Sequence, residues 1–338
     1  MEKALSRILV VRTDRIGDVL LSTPVVEALR LKYPEAHIAM LVSKGSKEVV
    51  DGNPFLNEVL VDEGEKASKL AKRLKAKRFD TAVVLHPTPR LAWALSRAKI
   101  PIRVGTGYRG YSFLFTKRVY EHRKTAERHE LEYNLSLAEA LGAKLENPEP
   151  KIYLSSQDRD WAKKRLAQAG VREGEKLVGI HPGSGGTARD WRPERFGELG
   201  EVVQKELGAR VVVTGVESER KLAEFVASKM SKAPILILGE TNLKQLTAIL
   251  EREDVFVSNS TGPMHLAAAV GTKIVAMFPP IRDCSPRRWG PWGKGHKAIL
   301  PDVPECKKCI ETKCRYCDCM DKISVDEVFT AVKGALGR

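Results

Sequence analysis

The sequence has no run of 18 apolar residues, and its N-terminus lacks the apolar core of a secretory signal peptide. We therefore expect no membrane-spanning helix and a cytoplasmic protein whose membrane contact, if any, is peripheral. Acidic residues are in deficit: 43 Asp and Glu face 57 Lys and Arg, which leaves a formal charge of +14. This deficit favours phosphates, nucleic acid or an anionic membrane surface as partners. No recognised nucleic-acid-binding motif is present, so we expect no nucleic acid among them.

Short β-branched runs alternate with helical patterns along the chain, which is typical of an α/β protein with doubly wound parallel sheets. A length of 338 residues with 43% hydrophobic content is enough for two cores. The pattern breaks at the NPEP stretch of residues 147–150, so we place a domain boundary there. The expected parts are a first domain over residues 1–150, a second over 151–322, and a C-terminal helix in 323–338 that packs back on the body. The predicted strands lie at residues 8–11, 38–42, 81–85, 177–180, 210–215, 255–258 and 273–278, and the predicted helices include residues 67–75, 130–141, 161–169, 263–270 and 325–336.

The first strand runs through a polar turn directly into a helix that carries Asp18. Gly17 lets the backbone bend, and Pro24 leaves two interpretations of the helix start. The helix begins at Pro24 with Thr23 as its cap, or it begins near Gly17 and kinks. Both interpretations put Asp18 at the carboxyl end of a parallel strand, where open α/β sheets bind ligands. The same position also suits a carboxylate that merely caps the helix.

Three other polar stretches each have two interpretations. His86 follows a strand and either lines the same sheet edge as Asp18 or belongs to a proline-rich surface turn. The Asp-Arg-Asp sequence at residues 158–160 resembles an acidic pair that binds a divalent metal, but it opens a helix, where acids complement the dipole. We therefore assign it to the helix start. Glu217 follows another strand and either accepts hydrogen bonds from two sugar hydroxyls or starts the next helix.

The segment of residues 99–128 carries eight basic and two acidic side chains. Aromatic residues are interleaved with these charges, which indicates a site for a phosphorylated or carboxylated, partly apolar ligand. A solvated loop is the alternative. A GTGYRG sequence at residues 105–110 matches the dinucleotide-binding fingerprint, but no small-residue helix follows it, so we reject that function. The candidate ligand-binding side chains of this segment are Arg103, Arg109, Arg118, Arg123 and Arg128.

A glycine-rich turn follows the predicted strand at residues 177–180. Its backbone N–H groups are free to face phosphate oxygens, and Arg189 and Arg192 add positive charge. The turn is therefore a candidate phosphate site, formed by Gly183, Ser184 and Arg189. An ordinary loop is the alternative.

The strongest motif of the second half is a strand, turn and helix over residues 255–270. Pro263 stands in the first turn of the helix, and the hydroxyls of Ser260 and Thr261 flank its N-terminus. A helix N-terminus of this kind is a ready anion site. His265 either faces a ligand or fills the seam between helix and sheet.

Five of the six cysteines lie within residues 306–319. In a cytoplasmic chain their two CxxC pairs suggest thiolate coordination, most simply one tetrahedral zinc ion on Cys306, Cys309, Cys314 and Cys317. The gap of four residues between the pairs is short for a zinc ribbon, and a fifth thiol is left over. Reduced thiols and disulfides remain alternatives.

Three phrases and the cysteine-rich tail point to a known family. The phrases are VVRTDRIGDVL at residues 10–20, HPGSG at 181–185 and NSTGPMHLAAA at 259–269, and the tail covers residues 314–324. Together they resemble glycosyltransferase family 9, the ADP-heptose:lipopolysaccharide heptosyltransferases and their relatives, over almost the whole chain. The resemblance implies a GT-B fold, in which two Rossmann-like doubly wound domains face each other across a cleft. The first domain of such a fold binds the acceptor and the second binds the nucleotide sugar.

The resemblance also implies inverting transfer with no metal or other cofactor required for catalysis, so that a zinc ion on the cysteines would be structural. Asp18 matches the proposed general base of the family. Arg189 matches the basic residue that offsets diphosphate charge, and Glu217 matches the acid after the next strand. The expected donor-binding residues are Gly183, Ser184, Arg189, Glu217, Ser260, Thr261, Gly262 and His265.

The implied partners are an ADP-sugar donor, a lipopolysaccharide core acceptor and, by peripheral contact, the inner leaflet of the inner membrane. The basic segment of residues 99–128 would bind the acidic core sugars and phosphates. Ser260 departs from the family, whose characterised heptosyltransferases often carry an aspartate there, so the donor sugar stays open. Two other classes also stay open: a GT-B sugar-nucleotide epimerase, which needs no acceptor, and a nucleic-acid-binding protein.

Overall fold

The computed structural model describes residues 5–186, 189–307, 309 and 313–337. The chain divides into two compact units. The N-terminal unit comprises Met1–Lys124 and Arg128–Tyr153, and the C-terminal unit comprises Thr125–Glu127 and Leu154–Arg338. The main division falls after Tyr153, a few residues beyond the NPEP stretch.

The N-terminal unit contains six strands: β1 (Arg7–Val11), β2 (His37–Ser43), β3 (Glu58–Asp62), β4 (Thr81–Val84), β5 (Ile102–Thr106) and β6 (Lys117–Val119). They form one parallel sheet in the order β3-β2-β1-β4-β5-β6. In the central strand, Ile8 pairs with Ile38 on one side and Thr81 on the other. Residues 8–11 are fully buried, as expected for the central strand of a parallel sheet with both faces covered.

The helices of this unit are α1 (Ile16–Leu20), α2 (Thr23–Lys32), α3 (Lys47–Val50), α4 (Ala67–Ala76), α5 (Pro89–Arg97) and α6 (Glu130–Glu139). Gly17 lies inside α1, whereas Pro24 lies in the first turn of α2, whose N-cap is Ser22. The two expected helix starts therefore both occur, as two successive helices rather than one kinked helix.

The C-terminal unit also contains six strands: β7 (Leu177–His181), β8 (Arg210–Gly215), β9 (Ile235–Leu238), β10 (Val255–Asn259), β11 (Lys273–Met277) and β12 (Lys297–Ile299). Their order is β9-β8-β7-β10-β11-β12, and all are parallel. Numbered from the first strand of each unit, the two sheets have the same order, 3-2-1-4-5-6. This is the strand order of the Rossmann fold.

The helices of this unit are α7 (Ser156–Gln168), α8 (Pro193–Leu207), α9 (Arg220–Ala227), α10 (Leu243–Leu250), α11 (Gly262–Ala269), α12 (Pro286–Trp289) and α13 (Val325–Ala335). Helix α7 begins with a capping box in which Ser155 and Asp158 bond each other's backbone N–H, so the acidic pair belongs to a helix start, as expected. The C-terminal helix α13 packs against α8 and β11. Its Val328 and Val332 are buried in the core of the C-terminal unit.

Each sheet has a topological switch point, where the strand order reverses and a crevice opens at the carboxyl ends of the strands. The switch point lies between β1 and β4 in the first sheet and between β7 and β10 in the second. Ligands of open α/β sheets bind at such crevices, so these two places are the candidate sites. Within the described ranges, none of the helices has the length and hydropathy that a membrane span requires.

Candidate active site

Arg12 is the centre of a charge network at the first switch point. It directly follows β1 and is 2% exposed. Its Nε donates to Asp14 Oδ1 at 2.7 Å, and its Nη1 donates to Glu130 Oε1 and to Asn134 Oδ1, both at 3.1 Å. Its Nη2 donates to the carboxylate of Asp18. A buried guanidinium therefore holds three carboxylates at the carboxyl end of the central strand.

Asp18 lies in the first turn of α1, where its side chain is 15% exposed. Burial raises the pKa of Asp18 to about 6 against the opposing charge of Arg12, and the carboxylates of Asp14 and Glu130 add to the rise. The N-cap position of α1 is taken by Arg15 rather than by Asp18. The Asp18 carboxyl is thus ionised at neutral pH and more basic than an exposed aspartate, which suits a proton acceptor.

His86 lies at the end of β4 and completes this edge of the sheet. Its Nδ1 is 3.3 Å from Asp14 Oδ2, and its ring is about half exposed. Burial lowers the pKa of His86, while the charge of Asp14 opposes that change. Asp14 is itself fixed, since its backbone carbonyl accepts hydrogen bonds from the hydroxyls of Ser43 and Ser46 at 3.2 and 3.1 Å. His86 therefore lines the same sheet edge as Asp18, which was the first of its two interpretations.

Arg123 and Glu130 extend the network. Arg123 Nη1 donates to Glu130 Oε1 at 2.5 Å, and its Nη2 donates to the carbonyl of Tyr133 at 3.2 Å. Glu130 is 1% exposed and sits between the guanidinium groups of Arg123 and Arg12. Sequence reasoning did not single out Glu130, because its pattern is that of an ordinary acid at a helix start.

The other four candidate arginines of the basic segment have different surroundings. Arg103 donates from Nε to the Leu114 carbonyl at 2.7 Å and from Nη1 to the Ile100 carbonyl. Arg128 donates to Glu121 Oε1 at 2.8 Å. Arg109 and Arg118 are exposed. The structure thus leaves Arg109 and Arg118 as the arginines best placed to meet a ligand from solvent.

The glycines of the GTGYRG sequence make room for aromatic rings. A Cβ on Gly105 would lie 2.8 Å from the Phe115 ring, and one on Gly107 would lie 2.3 Å from the Tyr120 ring. The next helical residues form only a short 3₁₀ turn, Ser112–Leu114. The rejection of a dinucleotide fingerprint is confirmed by this local structure.

The second switch point is built from glycine and buried polar side chains. His181 ends β7, and its Nδ1 lies 2.9 Å from Thr214 Oγ1. Burial lowers the pKa of His181, against the charge of Glu219, whose Oε2 is 3.9 Å from His181 Nε2. A Cβ on Gly183 would lie 2.0 Å from Glu219 Oε1, so a larger residue would displace this carboxylate. Ser184, next in the chain, is also buried.

Asn259, at the end of β10, holds both ends of the glycine-rich turn. Its Oδ1 accepts from the backbone N–H of Trp191 at 2.8 Å, and its Nδ2 donates to the carbonyl of Pro182 at 2.9 Å. Asn259 is fully buried. It was part of the NSTGPMHLAAA phrase, yet nothing in its sequence context indicated a role in fixing the turn.

The N-terminus of α11 lies at the same sheet edge. Thr261 is its N-cap, Gly262 is its first residue and Pro263 is in its first turn. The N–H groups of a first helical turn have no partner within the helix, so they can bind an anion. Ser260 is partly exposed at the turn, and His265 is 7% exposed.

A family model described as Glycosyltransferase family 9 (heptosyltransferase) matches residues 67–319. The chain belongs to glycosyltransferase family 9. It is similar to lipopolysaccharide heptosyltransferase 2 of Salmonella typhimurium, with 28% identity over 294 residues that cover 81% of this chain and 83% of the relative. Among solved structures, it is similar to a family 9 glycosyl transferase from Veillonella parvula, with a TM-score of 0.90, 27% identity and coverage of 99% and 98% of the two chains.

A second solved structure, ADP-heptose lipopolysaccharide heptosyltransferase II of Escherichia coli, aligns with a TM-score of 0.81 and 23% identity over 98% of both chains. At that identity the likeness establishes the fold, which is the GT-B fold with two Rossmann-like units. Because the chain belongs to glycosyltransferase family 9, the protein is a glycosyltransferase.

Two charged side chains expected in the donor site of this glycosyltransferase have protein partners. Glu217 is exposed and accepts two hydrogen bonds from Arg220, each at 2.7 Å, which lower the pKa of Glu217. Arg189 donates from Nη2 to the backbone carbonyl of Cys317. Arg192, its neighbour in sequence, pairs with Asp321. The turn is thus tied to the cysteine-rich part of the chain.

The six cysteines of the glycosyltransferase are free thiols. Cys306, Cys309 and Cys314 are partly buried, Cys317 is exposed and Cys319 is buried. Burial raises the pKa of Cys306, and neighbouring thiols at positions 314, 309 and 319 add to the rise. Among the residues that the structure describes, no three His, Cys, Asp or Glu side chains are already arranged as a metal shell.

Proposed function

We propose that this glycosyltransferase moves a heptose from ADP-heptose to the inner core of lipopolysaccharide, with inversion and with Asp18 as the general base. The observation that carries the proposal is the buried Arg12–Asp18 pair at the first switch point, in a chain whose relatives are lipopolysaccharide heptosyltransferases. The N-terminal unit would bind the acceptor and supply the base, as expected for residues 1–150. The C-terminal unit would bind the donor, as expected for residues 151–322.

Asp18 has the properties that the first chemical step needs. The acceptor hydroxyl must lose its proton as its oxygen attacks the anomeric carbon, and a positioned base commonly speeds such a step by about 10²–10⁴. A carboxyl whose pKa is raised to about 6 is ionised at neutral pH and accepts a proton more readily than an exposed aspartate. Arg12 restricts its orientation, which lowers the entropy cost of reaching the reactive geometry.

The donor side needs positive charge and N–H groups, because negative charge grows on the departing diphosphate. Backbone N–H groups around Gly183 and Ser184 and at the N-terminus of α11 would bind it, with Arg189 adding charge. Glu217 would accept hydrogen bonds from sugar hydroxyls. Ser260, Thr261, Gly262 and His265 complete the proposed donor set. The Escherichia coli neighbour is named an ADP-heptose heptosyltransferase, which supports ADP-heptose as the donor. Because Ser260 stands where the family often has an aspartate, other ADP-sugars remain candidate donors.

The acceptor would be an acidic lipopolysaccharide core at the inner leaflet of the inner membrane, reached from the cytoplasm by peripheral contact. Exposed Arg109 and Arg118 would contact its phosphates and carboxylates, while Arg103 and Arg123 would support that surface from behind and Arg128, paired with Glu121, would lie beside it. Anionic surfaces attract such basic segments within a Debye length. We propose that catalysis requires no cofactor, and that a metal ion on the cysteines would be structural.

Product analysis and calorimetry test this function. Purified protein is incubated with ADP-heptose and a heptose-deficient lipopolysaccharide core, and the core is analysed by mass spectrometry. We expect transfer only when both substrates are present, and tighter binding of ADP-heptose than of UDP- or GDP-sugars. Conversion of the donor alone would instead indicate a sugar-nucleotide epimerase, and preferred binding of a UDP- or GDP-sugar would overturn the donor assignment.

A further inference from the structure

The five cysteines of the cysteine segment, residues 306–319, line a small cavity beside Arg189 of the glycine-rich turn. The cavity has a volume of about 30 Å³. That is enough for one water-sized or ion-sized occupant. Its walls contain five thiols and a single charged side chain, Arg189, and no carboxylate among the described residues that line it. The sulfur-lining residues are Cys306, Cys309, Cys314, Cys317 and Cys319.

Burial separates these five thiols into two groups. Cys319 is 7% exposed, and Cys306, Cys309 and Cys314 are partly buried. Cys317 is exposed, and its backbone is already engaged because its carbonyl accepts the hydrogen bond from Arg189. All five thiols line the cavity, and the charges of Cys314, Cys309 and Cys319 act on Cys306. The four less exposed thiols, rather than the four that make up two CxxC pairs, are therefore the candidate ligands.

We propose that Cys306, Cys309, Cys314 and Cys319 bind one thiophilic metal ion of the zinc class, and that this ion fixes the position of Arg189. Four sulfur ligands suit a tetrahedral ion such as Zn²⁺, whereas the hard ions Mg²⁺ and Ca²⁺ prefer oxygen. On binding, each thiol releases its proton to the buffer as its sulfur bonds the metal. Cys319 thereby replaces Cys317 in the ligand set that the sequence spacing suggested.

Regular structure is sparse among the described residues between Ile299 and Val325. It consists of a β-bridge between Cys306 and Ile281 and of short 3₁₀ turns such as Cys319–Lys322. The Cys306 thiol currently donates to the Pro280 carbonyl at 3.2 Å, a contact that metal binding would exchange for coordination. Since the thiols are not yet a closed shell, binding would draw them together, and its free energy would stabilise the segment.

The same part of the chain supports the glycine-rich turn through hydrogen bonds to its carbonyls. Besides the bond from Arg189, the indole Nε1 of Trp191 donates to the Ile323 carbonyl at 3.0 Å. Arg195 donates to the carbonyls of Asp321 and Ile323, both at 3.2 Å. A metal ion bound by these cysteines would therefore also affect the positions of Arg189, Trp191 and Arg195. The effect on donor binding rests on the proposed function, whereas the metal site itself does not.

Metal content and cobalt spectra test the site without any substrate. Protein purified in the presence of Zn²⁺ should hold about one zinc per chain by mass spectrometry. Replacement by Co²⁺ should give sulfur-to-cobalt charge-transfer bands and tetrahedral d–d bands. Cys319→Ser should lose most of the metal, while Cys317→Ser and the control Cys284→Ser, outside the segment, should retain it.

Two outcomes would overturn the proposal, and a third would support its ligand set. Metal-free protein without cobalt–thiolate bands would refute the site. Equal metal loss in Cys317→Ser and Cys319→Ser would refute the ligand set. Iron in place of zinc, with Cys319 still required, would support the ligand set while changing the resident metal.

Calorimetry with ADP tests the connection to Arg189. Removing the metal with a chelator should weaken ADP binding several-fold, and adding Zn²⁺ should restore it. In Arg189→Ala, chelation should have little further effect on ADP binding. Unchanged ADP affinity after verified metal removal would overturn the connection but leave the site intact. Absence of ADP binding in the metal-loaded protein would instead count against the proposed function.

Discussion

The two switch points have the same strand order and different chemistry. At β1 and β4, a buried guanidinium gathers Asp14, Asp18 and Glu130, so the edge is rich in carboxylates. At β7 and β10, the edge consists mainly of glycine, backbone amides and the neutral side chain of Asn259, with Glu219 as the carboxylate near His181. The fold fixes where a ligand sits, and the side chains at the strand ends decide which charge it carries.

In the proposed reaction, this difference would correspond to the two halves of a sugar transfer. A carboxylate-rich edge accepts a proton and repels a diphosphate. Backbone N–H groups do the reverse, since they bind phosphate and cannot accept a proton. Each edge should therefore respond to a different class of substitution, and the following predictions use that difference, from the largest expected effect to the smallest.

Replacing Asp18 by Asn should lower kcat by about 10²–10⁴ while leaving ADP affinity and folding nearly unchanged. Asparagine retains an oxygen for the bond to Arg12 but does not accept a proton near neutral pH. Steady-state transfer assays, ADP calorimetry and circular dichroism measure the three quantities.

The control for this variant is Asp51→Asn, which removes a partly buried carboxylate that pairs with Lys47 at 3.1 Å. It should leave all three quantities unchanged. An unfolded Asp18→Asn protein would show that this side chain serves the helix start. Normal turnover by Asp18→Asn would move the base to His86, His265 or Glu217.

Replacing Arg189 by Ala should weaken ADP-heptose binding roughly 10- to 100-fold, since a charge-assisted hydrogen bond contributes about 1.5–3 kcal/mol. Arg192→Ala is the matched control, because Arg192 is paired with Asp321. Calorimetry compares the two variants with the parent protein. A larger loss in Arg192→Ala would place the diphosphate beside that residue instead.

The pH dependence of kcat/KM tests the charge network around Asp18. With a pKa of about 6, Asp18 must lose its proton to act as a base, so the rate should rise as pH increases through about 6. Glu130→Gln removes a negative charge that raises the pKa of Asp18, so the rising limb should shift to lower pH. An unshifted limb in Glu130→Gln would mean that another group controls the rate.

The raised pKa of Asp18 also affects the stability of the folded protein. Because the pKa of Asp18 is higher in the folded than in the unfolded chain, the folded state binds this proton more tightly. Its contribution to the free energy of unfolding is complete below about pH 4 and is lost as pH rises through about 6. In Asp18→Asn, this part of the pH dependence should be absent from urea unfolding curves.

The smallest effect is expected from the basic surface. Removing Arg109 and Arg118 together should reduce acceptor affinity a few-fold and flatten its salt dependence, because exposed charges are screened by salt. The double variant Lys72→Ala and Lys75→Ala, on exposed positions of α4, removes equal charge as a control. Equal salt effects in both double variants would show that the segment is only a solvated surface.

The sequence predicted the strands at the centre of each sheet and missed those nearer its edges. β1, β2 and β4 are apolar and buried, so their patterns are plain, whereas β5 carries an arginine on a half-buried position and β6 carries lysine and arginine on exposed positions. β9 is apolar and as long as β4, yet it was also missed. The parallel core therefore follows from hydrophobicity alone, while edge strands depend on the sheet that they join.

The proposed site residues show a similar division. Asp18, Gly183 and Thr261 each follow a buried strand, and the hydrophobic pattern of the sequence predicted those strands. The ion pairs of Glu130 with Arg12 and Arg123 were not predictable. Arg12 and Glu130 are far apart in sequence, and only the folded chain brings their side chains together. Arg103 was expected to bind an acidic ligand because of its charge, yet its guanidinium donates to backbone carbonyls.

Asn259 closes the glycine-rich turn by bonding to Pro182 and Trp191. Bringing the ends of a flexible loop together costs conformational entropy that grows only slowly with loop length. Because Asn259 has closed the loop already, this entropy is lost when the chain folds and not when a ligand binds. Insertions between the two anchored residues should therefore be tolerated at little cost, whereas exchange of Asn259 for Leu would return the closure cost to every binding event.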